Sequence, residues 1–163
     1  MLFRSGKLKL LTNLMLFTNK LNGSIPFEIN NLTYLQHLGL EENMLSGYLP
    51  QNVCIGGSLQ NFTAYHNYFT GSIPISLRNC TSLVRVRLEE NQLTGNLSED
   101  LGIYPSLIYI DLSYNNFYGE LSQKLGQCQS LENLKISNNK ISSVIPLELG
   151  RSAKLQLISP SII

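Results

Sequence analysis

Arg85 and Arg87 flank a single valine. On an extended chain alternate side chains share a face, so both guanidiniums point the same way, about 7 Å apart along the strand, where they can clamp one carboxylate. A structural alternative uses the same residues: Arg87 pairs sideways with Asp111 and Arg85 stacks on Tyr109. Both stand at this level. The adjacent carboxylates Glu41-Glu42 and Glu89-Glu90 lack the facing geometry of an acid and a base and read as solvated charge. His37 and His66 have no cysteine or acidic cluster at zinc-site spacing, and Gly56-Gly57 is a loop pair, not a phosphate cradle. No catalytic residue, cofactor or metal is expected.

A repeat must position these groups. Asn19, Asn43, Asn67, Asn91, Asn115 and Asn139 recur every 24 residues without insertion or deletion. A fixed period of this length marks a solenoid, whose units bury their apolar faces only by stacking. Each unit reads Leu-x-x-Leu-x-Leu-x-x-Asn-x-Leu-x-Gly-x-Ile-Pro-x-x-Leu-x-x-Leu, as in Leu35, Leu38, Leu40, Asn43, Leu45, Gly47, Leu49, Pro50 and Val53. Alternation around Leu38 and Leu40 predicts a short strand with one buried face, and stacking predicts one parallel sheet of six strands on the concave side of a right-handed array. Leu14, Leu38, Phe62, Val86, Ile110 and Leu134 form one inward column.

The asparagine amides should bond backbone groups that would otherwise be buried unpaired. Gly23, Gly47, Gly71, Gly95 and Gly119 permit tight backbone on the far side, and Pro26, Pro50, Pro74 and Pro146 suit an extended segment there without a full ladder of donors. Ser98 and Ser122 replace the proline and Ser143 the glycine, which should loosen that side. No long helix is expected. The concave columns carry Tyr65, His66, Arg85, Arg87, Tyr109, Asp111, Asn133 and Lys135, side chains suited to directional contacts with an extended peptide.

The 163 residues hold six repeats and part of a seventh, read as one elongated domain over 1–163. A net charge of +1 gives no reason to invoke nucleic acid or an acidic membrane surface. No apolar run reaches the roughly 18 residues that span a bilayer. Met1 to Phe17 could pass for a signal peptide, but Leu8, Leu11, Leu14 and Leu16 fall in phase with the repeat, which reads as structure.

The half-repeat Leu21-Asn22-Gly23-Ser24-Ile25-Pro26 resembles the plant-specific leucine-rich repeat, and the segment from Asn79 to Phe117 is similar to the ectodomains of plant leucine-rich-repeat receptor-like kinases of the peptide-sensing branches, including relatives of the receptor for serine-rich endogenous peptides. The resemblance covers about Gly6 to Leu155. It implies a ligand-binding segment on the extracellular face of the plasma membrane, a secreted peptide as ligand, a leucine-rich-repeat co-receptor kinase as partner, and the relay of a defence or growth signal. Arg85 and Arg87 match the pair that reads the free C-terminal carboxylate in receptors for small peptide hormones.

The family's kinase needs a Gly-rich loop, a strand lysine, His-Arg-Asp and Asp-Phe-Gly, and the chain has none, so it is expected to bind rather than turn over. An alternative resemblance is to the cell-wall proteins that inhibit polygalacturonases, which would meet a folded enzyme on the concave face. Both ends stop in mid-repeat, Gly6-Lys7-Leu8 at one and Ser159-Pro160-Ser161-Ile162-Ile163 at the other, where proline argues against a completed central strand. A piece of a larger receptor is expected.

Sequons stand at Asn22, Asn31, Asn61, Asn79 and Asn96, and some arise by chance in a chain rich in Asn, Ser and Thr. Together with the plant-type repeat they favour the secretory path. A glycan on Asn61 would block part of the concave strand. Cys80 and Cys128 share a column with Leu32, Tyr104 and Ser152, which suits small core residues. Two repeats separate them by about 10 Å, too far for a bridge. Cys54 and Cys80, from adjacent repeats, are the pair that a disulfide can join.

Overall fold

In the computed structural model, which describes residues 8–142, 145–151 and 157–159, each repeat gives one strand to each of two parallel sheets. The concave sheet has seven strands: β1 (Asn13–Met15), β3 (His37–Gly39), β5 (Asn61–Thr63), β7 (Arg85–Arg87), β9 (Tyr109–Asp111), β11 (Asn133–Lys135) and β13 (Leu157–Ser159). Leu14, Leu38, Phe62, Val86, Ile110, Leu134 and Ile158 are register partners in that order, so the expected column exists with one more member. Six strands were expected. The seventh, Leu157–Ser159, pairs in parallel with β11 and keeps the 24-residue register.

The second sheet was not expected. It contains β2 (Asn22–Ser24), β4 (Met44–Tyr48), β6 (Tyr68–Gly71), β8 (Gln92–Asn96), β10 (Asn116–Gly119) and β12 (Lys140–Ile141), again parallel. The prolines do not prevent it because they follow the strands. Pro26 and Pro74 instead precede the 3-10 helices Phe27–Asn31 and Ile75–Asn79, with φ near the value their rings impose. Gly71 sits at φ 79°, and a Cβ there would press into the Tyr48 ring, so glycine is needed for both backbone and space.

Ser98 and Ser122 do not loosen the array. The buried Ser122 hydroxyl accepts from the Lys124 amide at 3.3 Å and opens the 3-10 helix Gln123–Gln127. Asn96 caps the four-residue α-helix Leu97–Asp100 by accepting from the Ser98 amide and hydroxyl. The Ser122 hydroxyl in one repeat and the Asn96 amide oxygen in another therefore supply an acceptor for a free helix donor. Ser143, Ser152, Leu155 and Pro160 to Ile163 lie outside the described residues, as does Met1 to Lys7 of the first segment.

Between the sheets runs one apolar core, continuous from Ile29 to Leu149, each leucine-sized side chain contributing about 1.5 to 3 kcal/mol when fully buried. The asparagines close it on one flank. Asn43 Nδ2 donates to the carbonyls of Leu40, Glu41 and, one repeat back, Leu16, while its Oδ1 accepts from the Leu21 amide. Asn67, Asn91 and Asn115 repeat the pattern. Cys54 and Cys80 are joined by a disulfide with Cα atoms 6.0 Å apart. Cys128 is free and buried, its sulfur accepting from the Tyr104 amide at 3.2 Å.

Candidate functional site

The polar side chains of the concave face converge on the middle strands. Strand alternation buries Val86 and turns Arg85 and Arg87 outward, Arg85 exposed and Arg87 half-buried. Arg85 lies 4.8 Å from the centroid of Tyr109, its partner in the next strand. Lys135, one strand further, approaches the same ring at 5.3 Å, so a single phenol is flanked by two cations. The Tyr109 hydroxyl donates to Asp111 Oδ2 at 3.2 Å, Lys135 Nζ lies 3.7 Å from the same oxygen, and the Ser113 amide donates to Asp111 Oδ1 at 3.1 Å. Asp111 is thereby buried with both oxygens engaged. The Tyr109 hydroxyl, helped by the Asp111 carboxylate and opposed by burial, holds the Lys135 ammonium above its ordinary pKa.

Arg87 differs from Arg85. Its guanidinium stacks 3.9 Å from the Tyr65 centroid and bonds the carboxylate of Glu89, two residues along the same strand line. The sideways pair of Arg87 with Asp111 is therefore not made, because Glu89 takes the guanidinium and Lys135 takes Asp111. The stack of Arg85 on Tyr109 is made. Among the described residues no carboxylate lies within ion-pair reach of Arg85.

Glu89 does not fit its reading as solvated charge, being only 6% exposed. Burial raises its pKa, with Asp111 adding to the rise and its own backbone amide and Arg87 opposing it. Glu90, its neighbour, is exposed and lies 2.7 Å from His66 Nε2. Glu41 accepts from the Thr63 hydroxyl at 2.6 Å and Glu42 from the Thr18 hydroxyl at 2.7 Å. Asn133 is half-buried in β11, in register with Tyr109. The structure thus brings Tyr65, Arg87, Arg85, Tyr109, Asp111, Lys135 and Asn133 into one patch and sets His66 at its edge. Glu89 and Ser113, which strand alternation also turns to the concave side, belong to the patch and were not chosen as ligand-binding residues. The i, i+2 spacing from Arg87 to Glu89, which puts both on one strand face, was the available signal.

Of the sequons, Asn22, Asn31 and Asn79 are exposed, the last two at the ends of 3-10 helices. Asn61 is half-buried in β5, and Asn96 is half-buried with its amide committed to Ser98 and to Glu99. Among the described residues no three His, Cys, Asp or Glu side chains are grouped to hold a metal, and no helix is long and apolar enough to cross a membrane.

The family model described as Leucine Rich Repeat matches residues 106–128 and 130–152. Comparison with the curated proteins finds no match. Among solved structures, the chain is similar to the ectodomain of the membrane receptor kinase GASSHO1/SCHENGEN3 from Arabidopsis thaliana in complex with Casparian strip integrity factor 2, with 28% identity and a TM-score of 0.78 over 92% of this chain and 21% of that one. The Arabidopsis receptor kinase HAESA, in complex with the peptide hormone IDA and the co-receptor SERK1, is 31% identical with a TM-score of 0.58, covering 96% of this chain and 35% of that one. A pollen receptor kinase 3 is 25% identical with a TM-score of 0.72, at 84% and 66% coverage. The chain spans only a part of each of these structures. Its fold is a leucine-rich-repeat solenoid, similar to those of these plant receptor-kinase ectodomains.

Proposed function

We propose that the chain is a ligand-binding segment of a plant cell-surface leucine-rich-repeat receptor kinase, that its concave face takes a secreted peptide in extended form, and that Arg85 anchors the peptide's free C-terminal carboxylate. One observation carries this reading: Arg85 is exposed at the middle of the face, oriented by the Tyr109 ring, and has no carboxylate partner of its own among the described residues. Every other cation of the patch is already balanced, Arg87 by Glu89 and Lys135 by Asp111. Similarity to two ectodomains solved with their ligands supports a binding role, and the co-receptor in the HAESA complex supports recruitment of a second receptor kinase by the intact protein. Binding, not turnover, is the activity, and the segment faces the cell exterior.

The test is an array of extended peptides, each with a free or an amidated C-terminus, against the chain produced in a secretory host. Free-acid peptides should bind and their amides should be weaker by about tenfold, as for loss of one charge-assisted bond at an exposed site. Arg85→Ala should weaken the free acids to the same degree and leave the amides unchanged. Equal loss for acids and amides would show that Arg85 acts through the fold.

A further inference from the structure

Three buried polar atoms of the concave face have no hydrogen-bond partner among the described residues: Arg87 Nε, Glu89 Oε2 and Ser113 Oγ. Arg87 and Glu89 share one coil, and Ser113 stands on the next. Arg87 Nη2 holds the other oxygen of Glu89, and Ser113 occupies the place of Glu89 one repeat on, the Glu90 amide donating to the Ser113 carbonyl at 3.0 Å. Glu89 and Ser113 are 6% and 5% exposed. Buried donors and acceptors left unpaired are destabilising, so a cluster of three beside a face suited to ligands is a place that a ligand group can complete.

The chemistry of that group follows from the charges. Glu89 faces Arg87 on its own strand line, Tyr65 across the guanidinium, and Asp111 with Lys135 from the following strands; His66 and Glu90 pair with each other beside it. Arg87 with Glu89 is a balanced pair, as is Lys135 with Asp111. An entering anion would meet the Glu89 carboxylate, and an entering cation would meet the Arg87 guanidinium. A neutral group that both donates and accepts meets neither objection. It can donate to Glu89 Oε2 and accept from Arg87 Nε–H, while the Ser113 hydroxyl rotates to take either part.

We propose that Arg87, Glu89 and Ser113 form a subsite for a neutral amide or hydroxyl side chain of the bound peptide, an Asn, Gln, Ser or Thr, next to the carboxylate anchor at Arg85. This subsite rests on the peptide-binding reading of the concave face. It separates the two arginines by role: Arg85 reads charge, and Arg87, neutralised by Glu89, reads hydrogen-bonding pattern.

The experiment is a positional scan of the free-acid peptides that bind, with each residue replaced in turn by Asn, Ser, Asp, Lys and Leu, against the chain and its Glu89→Gln and Ser113→Ala forms. One position should require an amide or hydroxyl, losing about tenfold with Asp, Lys or Leu. Glu89→Gln leaves the Arg87 charge uncompensated, so that position should then take Asp at least as well as Asn. Ser113→Ala should lower the preference for Asn over Leu at that position about threefold, and it leaves the charges in place should Glu89→Gln fail to fold. Binders without such a position, or selectivity untouched by both substitutions, would overturn the subsite and leave the three atoms to a structural water. Loss of the free-acid preference alone overturns the Arg85 anchor and not the subsite, while absence of any binding peptide overturns both.

Discussion

Asn115 Nδ2 donates at 2.9 Å to the carbonyl of Leu88, a residue 27 positions earlier, and so ties one coil of the solenoid to the coil before it. The same amide bonds the carbonyls of Leu112 and Ser113, and its oxygen accepts from the Leu93 amide. Asn115→Ala would leave these buried backbone groups without partners. The expected loss is about 3 to 5 kcal/mol, larger than the usual ~1 kcal/mol for a point substitution, read as a drop in the urea midpoint. Asn115→Asp keeps the acceptor but sets a buried carboxylate against three carbonyls, and should lose at least as much.

Glu89 gives the fold a pH dependence of known sign. Burial, helped by Asp111, raises its pKa in the folded chain above the ordinary 4.5. The folded state therefore binds more protons than the unfolded one in the interval between the ordinary and the raised value, and stability contributed by protonated Glu89 is lost as pH rises through that interval. Carboxyl NMR should place Glu89 above the other glutamates. The downward slope of stability with pH across this interval should flatten in Glu89→Gln.

Tyr114 ends the β9 coil at φ 54°, in a column where Thr18, Glu42, His66, Glu90 and Asn138 are all left-handed too. A side chain with a Cβ pays for that conformation, β-branched ones most and asparagine least. Tyr114 is 56% exposed, so its ring contributes little packing. Tyr114→Asn should raise the melting temperature slightly, and Tyr114→Val should lower stability by about 1 to 2 kcal/mol.

If the chain passes through the secretory path, the exposed Asn22, Asn31 and Asn79 should carry glycans. Asn96 should be unoccupied in the folded chain, because it is half-buried and its Nδ2, the atom a glycan would take, donates to Glu99 at 3.1 Å. Intact mass before and after enzymatic deglycosylation, with Asn31→Gln and Asn79→Gln as controls, counts the occupied sites. A glycan recovered from Asn96 in folded protein would contradict this placement of its Nδ2.

The sequence alone determined the repeat length, the inward column from Leu14 to Leu134, the asparagine ladder and the outward strand face that carries Arg85 and Arg87. Each of these is periodic, and a period of two within the strand or 24 between coils survives without knowledge of the partner strand. Tertiary structure decided the rest. The second sheet depends on how β4 and β6 meet, with Gly47 in register with Phe69 and Gly71 against the Tyr48 ring, and backbone pairing of that kind leaves little apolar pattern. Which carboxylate meets which cation was decided by lateral neighbours competing at a few ångströms: Glu89 reaches Arg87 first, so Asp111 is left to Lys135 and Tyr109. Burial of Glu89 likewise follows from the coils stacked on either side, for the same Glu-Glu pair in an isolated strand would lie in water. The guanidinium of Arg85, left without a carboxylate among the described residues, is the outcome of that competition, visible only once Arg87 and Lys135 have taken Glu89 and Asp111.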